Sequence, residues 1–187
     1  TKMALRKALS YSKKKARPFT RKAKITQKAY IKAVPPIKII KFHMGDMKAF
    51  KEGRHLFVIR LIADESVMIR DNALESARMV VGKIMEENAV GQYYFAVKVY
   101  PHHILRENKG GGGGMAGADR VSSGMSHSFG INIGRAAIVN EGREIFLISC
   151  ENEKTARIAR DALIQVKSKV PCRAKILFEK IAKPISN

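Results

Sequence analysis

The sequence predicts an α+β domain in which two helices pack on a mixed or antiparallel sheet, with a basic N-terminal arm and a long protruding Gly-rich loop. Three observations lead to this prediction. Six short segments rich in β-branched and aromatic residues are interspersed with two segments whose apolar residues recur at helical spacing. Most of the net charge lies in the first quarter of the chain. Five consecutive glycines, residues 110–114, interrupt the middle and carry no side chains for a core.

The strands are predicted from their content of Val, Ile, Phe and Tyr. They cover residues 37–42, 55–62, 93–100, 131–139, 144–150 and 173–181. The fourth and fifth are expected to form a hairpin, because residues 140–143 have turn composition and Gly142 suits a positive φ. We expect a loop over 45–53 and an irregular connection over 63–69.

Two helices are predicted, over residues 71–88 and 153–169. In the first, Asn72 and Glu75 have the spacing of a capping box. Asn152 is the expected N-cap of the second, and Pro171 ends it. Each helix has one apolar face. These faces comprise Ala73, Ala77, Val80, Val81 and Ile84 in the first helix, and Ala156, Ala159, Leu163, Val166 and Val170 in the second.

The chain length of 187 residues and the apolar content of 45% suit one domain with an arm. We predict the arm over residues 1–34 and the domain over 35–183, with the protruding loop at 101–130. No apolar run approaches the ~20 residues of a membrane span, and no secretory signal is evident. An organelle presequence ahead of an enzyme stays open as an interpretation of the basic start. Cys150 and Cys172 show no C-x-x-C spacing, which favours buried thiols in a reducing, cytoplasmic setting.

Charge gives the strongest indication of function. The formal net charge is +20, and residues 1–45 contain fourteen Lys or Arg and no Asp or Glu. Such a segment repels itself but can order on a polyanion by releasing condensed counterions. Aromatic residues, among them Tyr11, Phe19 and Tyr30, are interleaved with these cations. Cations that meet phosphates and rings that stack on unpaired bases favour RNA as the partner.

The loop region does not match the patterns of catalytic or metal sites. A phosphate-binding P-loop needs Lys and Ser/Thr directly after its last glycine, whereas Met115 follows here. His102 and His103 are adjacent, so in an extended chain they point to opposite faces and are unsuited to one metal ion. His127 and its neighbouring serines have no nucleophile-elbow sequence around them. We therefore expect no catalytic residue, no cofactor and no metal.

Short sequence motifs resemble one ribosomal family. They are YPHHILRENK at 100–109, GADR at 117–120, GM at 124–125, FG at 129–130, NALE at 72–75 and RPFTR at 17–21. The spacing of Tyr30, Ile31, Val34, Pro35, Lys38 and Ile39 fits as well. Together these motifs resemble the large-subunit ribosomal proteins called L-sixteen in bacteria and L-ten-e in archaea and eukaryotes. The resemblance covers about residues 17–180 and is of the archaeal type.

The resemblance implies a structural constituent of the large ribosomal subunit without enzymatic activity. It implies binding to large-subunit rRNA near the peptidyl transferase centre and help in positioning tRNA acceptor ends. Neighbouring ribosomal proteins would be further partners, with neither a membrane nor a homo-oligomer involved. The expected rRNA-binding residues are Lys2, Arg6, Lys7, Lys13, Lys14, Lys15, Arg17, Arg21, Lys22 and Lys24. The expected loop residues near tRNA are His102, His103, Arg106, Lys109, Arg120 and His127.

Two segments depart from the family pattern. Residues 110–114 are all glycine where the family usually has Met and Ala, and the Lys-rich start replaces a shorter Arg-Pro segment. The alternative hypothesis is a non-ribosomal RNA-binding assembly factor or RNA-modifying enzyme whose Gly-rich loop grips phosphate. Binding of nucleotide or of a defined substrate by the isolated protein would distinguish it from a ribosomal protein.

Overall fold

A computed structural model of the chain describes residues 11–12, 19–25, 27–107 and 130–181. It confirms the α+β class: within those residues two antiparallel sheets combine with three α-helices. The strands are β1 (His43–Gly45), β2 (Phe57–Ala63), β3 (Val67–Arg70), β4 (Tyr93–Val97), β5 (His103–Glu107), β6 (Ile131–Val139), β7 (Glu144–Cys150) and β8 (Ala174–Lys180). The helices are α1 (Met47–Lys51), α2 (Asp71–Asn88) and α3 (Glu153–Val166), which continues as a 3₁₀ turn over Lys167–Lys169.

The larger sheet has the order β1-β4-β7-β2-β8 and carries the main core on one face. Successive side chains of β2 point to opposite faces of the sheet, as the geometry of a β-strand requires. Ile59 and Leu61 point into the main core with Phe95 and Ile148, while Val58 faces a smaller cluster on the other side. Helices α2 and α3 pack against each other and cover the main face. The predicted apolar face of α3 is buried throughout.

The smaller sheet has the order β3-β6-β5, and this arrangement corrects the predicted hairpin. Segments 131–139 and 144–150 are both strands, and Gly142 between them has φ 76°. They nevertheless pair with different partners. Strand β6 pairs with β3 and β5, whereas β7 pairs with β2 and β4. The turn composition predicted the change of direction, but the pairing depended on β3 and β5, two strands that local patterns did not reveal.

Two further predictions were wrong near the start of the domain. Segment 37–42 is not a strand, because its backbone donates to a helix instead of a neighbouring strand. The N–H of Lys38 donates to Asp71 Oδ2 at 3.2 Å and that of Ile40 to Glu75 Oε2 at 3.3 Å. The expected loop at 45–53 contains α1, whose N-cap Asp46 accepts from the N–H of Ala49 at 2.9 Å.

The capping box predicted at the start of α2 was also wrong. Arg70 occupies the N-cap position without a side-chain hydrogen bond, and Asp71 accepts from the N–H of Asn72. Glu75 instead forms an ion pair with Arg78, with 2.6 Å between Oε1 and Nη2. The buried apolar residues of α2 include Leu74, Ala77, Val81 and Met85. Ala77 and Val81 were predicted, whereas Leu74 and Met85 each follow by one residue the predicted Ala73 and Ile84.

Backbone atoms of Ser12 and Phe19 contact the two edges of the smaller sheet. At the β3 edge, the N–H of Met68 donates to the Ser12 carbonyl at 2.7 Å. At the β5 edge, the N–H of Ile104 donates to the Phe19 carbonyl at 3.0 Å. Tyr11 is buried on the face of this sheet against Met68. The described parts of the N-terminal segment therefore pack against the body.

Candidate nucleic-acid interface

The β5 edge positions the best-defined part of the basic segment. His103 is buried at 4% exposure, and its Nδ1 accepts from the N–H of Phe19 at 2.9 Å. The Phe19 carbonyl accepts from Ile104 one residue along the strand. Both backbone polar groups of Phe19 are thus hydrogen-bonded to residues of β5. The position from which the following basic residues extend is therefore fixed.

A ladder of rings and guanidinium groups extends from this point. The guanidinium carbon of Arg106 lies 3.8 Å from the centroid of the Phe19 ring. Phe19 meets Tyr30 in an edge-to-face contact with 6.0 Å between centroids. The guanidinium carbon of Arg21 lies 5.4 Å from the Tyr30 centroid. Cation–π attraction of this kind holds cations beside aromatic surface, so the ladder presents charge and flat surface together.

The turn that carries Tyr30 is closed by backbone hydrogen bonds. The N–H of Ile31 donates to the Arg21 carbonyl at 3.1 Å, and the N–H of Ala29 donates to the Ile25 carbonyl at 3.2 Å. Ala29 and Ile31 are buried, whereas Tyr30 between them is 65% exposed. An exposed ring on an anchored backbone is already ordered before it meets a ligand.

A second stack lies at the start of β5. The Tyr100 ring is stacked on Phe42 at 5.4 Å between centroids and lies 4.4 Å from the His102 ring. Burial lowers the pKa of His102, and the nearby charges of Lys22 and Arg135 lower it further. Burial and Arg135 also lower the pKa of Lys22. Burial is the larger cause of both lowered pKa values, and the neighbouring cations are the smaller one. The cations that lie together here form a positive patch of the kind that attracts phosphate.

Arg135 on β6 connects the body to the segment before the domain. Its Nε donates to the Pro35 carbonyl at 2.6 Å, and Asn132 on the same strand donates to the Ala33 carbonyl. At the other edge of this sheet, the guanidinium carbon of Arg70 lies 5.1 Å from the Tyr11 centroid. The cations of the small sheet thus lie beside the basic segment.

The structure places six of the sixteen predicted site residues. Arg21, Lys22, Lys24 and His102 are exposed, Arg106 is half-buried and His103 is buried. The opposite orientation of His102 and His103 is the one expected of neighbours in extended chain. The other ten lie outside the described residues: Lys2, Arg6, Lys7, Lys13, Lys14, Lys15, Arg17, Lys109, Arg120 and His127.

Sequence reasoning did not select Arg70 or Arg135 as site residues. Both are in strands, and the alternation of strand residues could only have assigned them to a face, not to a neighbour. Phe19 and Tyr30 had a visible signal, since each is an aromatic residue within an acid-free basic segment. Their contact across eleven residues, however, depends on the turn that Ile31 and Arg21 close.

The described residues show little sign of other chemistry. They contain no group of three or more His, Cys, Asp or Glu side chains placed to hold a metal ion. Burial raises the pKa of the Cys150 thiol to about 12 and that of Cys172 to about 11, so neither forms a reactive thiolate near neutral pH. No helix in the described ranges is both long and apolar enough to span a membrane.

Comparison with known proteins decides the family. The family model described as ribosomal protein L16p/L10e matches residues 14–177. The chain belongs to this family. Its members are structural proteins of the ribosome, so the chain is a structural ribosomal protein and not an enzyme.

Archaeal relatives match over nearly the full length. A protein of Methanococcus aeolicus is 41% identical over 164 residues, covering 87% of this chain and 90% of the relative. A protein of Methanococcus maripaludis is 40% identical over 179 residues, covering 95% and 96%. One from Staphylothermus marinus is 38% identical over 178 residues, covering 95% of each. All three are named large ribosomal subunit protein uL16, in agreement with the archaeal type that the motifs predicted.

Proposed function

We propose that this chain is a structural constituent of the large ribosomal subunit and binds large-subunit rRNA through the small sheet and the basic segment that lies on it. One observation carries the proposal. In a chain of this ribosomal family, an acid-free segment is held by backbone bonds to β5 and displays Arg21 and Lys22 beside exposed rings. Cations and rings in fixed positions suit phosphates and unpaired bases.

The N-terminal arm, residues 1–34, is the proposed main anchor on rRNA. Its ten Lys and Arg residues up to Lys24 would neutralise phosphates, and residues 35–183 would form the domain that carries it. The contacts of Ser12 and Phe19 with the small sheet support an arm that starts from a defined edge of the body. Arg135 and Arg70 extend the same basic surface onto β6 and β3.

The loop at 101–130 is proposed to lie near the peptidyl transferase centre and to help position tRNA acceptor ends. The described start of this segment is not irregular, because residues 103–107 form β5. His102 and Arg106 are at its base, and Lys109, Arg120 and His127 would act farther out. His103 is buried, so its proposed contribution is to support the Phe19 backbone.

The partners of this chain are proposed to be rRNA, tRNA and neighbouring ribosomal proteins in the cytoplasm, with no second copy of the chain. Sedimentation tests the proposal directly. In lysate fractionated on a sucrose gradient, the chain should co-migrate with large subunits and be released only at high salt. Quantitative recovery in the ribosome-free supernatant at low salt would contradict it.

A further inference from the structure

We propose that Tyr30 is a stacking platform for one unpaired RNA base, with the guanidinium group of Arg21 placed for the adjoining phosphate. This inference rests on the proposed function, since it concerns RNA, and it assigns a specific ligand to one residue of the interface. The Tyr30 ring is open to solvent. Tyr30 is 65% exposed, although its neighbours Ala29 and Ile31 are 6% and 3% exposed.

The Tyr30 ring is preorganised by its neighbours. It contacts the Phe19 ring edge to face, with 6.0 Å between centroids. Phe19 in turn is fixed by its N–H bond to His103 Nδ1, by its carbonyl bond from the Ile104 N–H and by Arg106, 3.8 Å from its ring centroid. A ring already ordered by such contacts loses little further entropy when a base stacks on it.

The segment around Tyr30 is strongly basic. Five of the twelve residues at 21–32 are Lys or Arg, and no carboxylate occurs before Asp46. Cores of protein–protein interfaces are poor in Lys, which makes a protein partner a weaker explanation for an exposed ring here. A polyanion with flat groups matches both features, and single-stranded nucleic acid has both.

The position of the Tyr30 ring suits an unpaired base better than a paired one. Within a helix each base is stacked between its neighbours, so a ring at the helix surface meets sugar and phosphate instead of a base face. Tyr30 projects its ring from a turn, not from a flat surface, and Arg21 lies 5.4 Å from its centroid. A bulged or looped nucleotide can place its base on the ring and its phosphate near Arg21.

The test uses the purified full-length chain and a uridine dodecamer with one central 2-aminopurine. Uridines stack weakly, so the probe is bright when free and is quenched when the reporter base stacks on tyrosine. Wild type should bind and quench it. Tyr30→Ala should weaken binding about five- to 150-fold, the range for loss of one base–aromatic stack, and abolish the quench. Tyr30→Phe keeps the ring and should stay within about twofold of wild type.

Three controls accompany this experiment. Phe178→Ala removes an aromatic residue that is 43% exposed on β8, away from the interface, and should leave binding and quench unchanged. Arg21→Gln should lower the slope of log affinity against log salt by about 0.7, the value for one single-strand phosphate, whereas Tyr30→Ala should not. The same oligonucleotide annealed to its complement should bind wild type and Tyr30→Ala with affinities within about twofold of each other, because a paired base is not free to stack on the ring.

The proposal is overturned if Tyr30→Ala binds and quenches like wild type, if Tyr30→Ala weakens binding to the duplex as much as binding to the single strand, or if wild type fails to bind the single strand. Sedimentation distinguishes this failure from failure of the proposed function. A chain that enters large subunits but shows no Tyr30-dependent quench refutes the stacking platform alone. A wild-type chain that stays outside large subunits refutes the proposed function itself.

Discussion

At the scale of single residues, His55, His102 and His103 have different chemical roles. His103 is a buried acceptor, and accepting through Nδ1 places the proton of its neutral ring on Nε2. His102 is exposed beside two cations. His55 is buried and shares a 2.7 Å hydrogen bond with Ser149, while its Nε2 has no hydrogen-bond partner among the described atoms.

Replacing His103 tests its role as a support for the arm. His103→Leu leaves the Phe19 N–H without its acceptor, and we expect a loss of about 1–3 kcal/mol in the free energy of unfolding. His103→Asn is the matched control, because its side-chain oxygen can take a position close to that of Nδ1, and it should lose less. Urea denaturation measures both variants, and equal losses would show that the hydrogen bond contributes nothing.

His55 should make the protein less stable in mild acid. Burial lowers the pKa of His55 below its ordinary 6.5, with Arg54 lowering it and the Glu151 and Asp46 carboxylates opposing the shift. The folded state therefore binds the proton less readily than the unfolded state. The free energy of unfolding should be highest above about pH 6.5, the unfolded value, and should fall as pH decreases toward the lower folded value.

The variant His55→Asn isolates this effect, since an amide can still bond Ser149 but does not titrate. Its unfolding free energy should change less than that of wild type as the pH falls below about 6.5, the ordinary pKa of histidine, toward the lower pKa of the folded state. His102, whose pKa is also lowered, contributes in the same direction, so His102→Gln is measured in parallel. If wild type and His55→Asn have parallel pH profiles, His55 is not responsible.

At the scale of elements, a close approach between two backbones determines where β1 ends. Strand β1 is only three residues long, and it ends at Gly45 with φ 81°. A Cβ atom on Gly45 would lie 2.2 Å from the Tyr93 carbonyl oxygen. The N–H of Asp46 donates to that same oxygen at 2.8 Å, so the chain turns from β1 into α1 directly against β4.

A pair of glycine substitutions separates steric clash from backbone strain. Gly142 has φ 76°, close to that of Gly45, but a Cβ there would meet nothing within 4 Å. Gly142→Ala should cost about 1–2 kcal/mol, which is the strain of the left-handed conformation alone. Gly45→Ala should cost more than about 3 kcal/mol, because the clash with Tyr93 adds to it. Equal losses in thermal or urea unfolding would contradict the close approach of β1 to β4.

At the scale of the whole molecule, we expect the main core and the arm to be separable. The first buried residue of the main core is Ile39, and that core is built from the larger sheet, α2 and α3. Tyr11, in contrast, belongs to a small cluster on the three-stranded sheet with Met68, Leu105 and Ala136. Among the described residues, those of the arm contribute to the cluster on the smaller sheet and not to the main core, so we expect the arm to stabilise the smaller sheet alone.

Deletion of residues 1–24 tests this separation. We expect the shortened chain to keep its folded far-ultraviolet circular dichroism, because the main core is intact, but to melt at a lower temperature. The lower melting temperature follows from the loss of Tyr11 and of the Phe19 backbone bonds to β5. Loss of the folded signal would contradict the domain boundary, and an unchanged melting temperature would show that the arm contacts are worth little.

The salt dependence of RNA binding tests the arm as an anchor. If the arm and loop neutralise about eight phosphates, log affinity should fall with log salt at a slope near −7, or near −6 for single strands. Deleting residues 1–24 removes ten cations and should make the slope markedly shallower. A full-length slope shallower than about −3 would mean that the basic arm is not the main contact.

Local patterns in the sequence determined the α+β class, the two long helices and the strands around Ile59, Phe95 and Ile148. These elements show a strong periodicity of apolar residues or a high content of β-branched and aromatic residues. Both are local properties of the chain. The asymmetric charge and the motifs from Tyr100 onward identified the ribosomal family for the same reason: they are written directly in the order of residues.

Only the tertiary structure decided how β6 and β7 separate into two sheets, why segment 37–42 is not a strand, and where the cations of the interface meet. Each depends on partners far away in the chain: Lys38 on Asp71, Phe19 on His103, and Lys22 on Arg135. Hydrogen bonds and charge interactions across such separations leave no local periodicity. The sequence therefore identified the basic segment, whereas the small sheet determined where its described residues lie on the body.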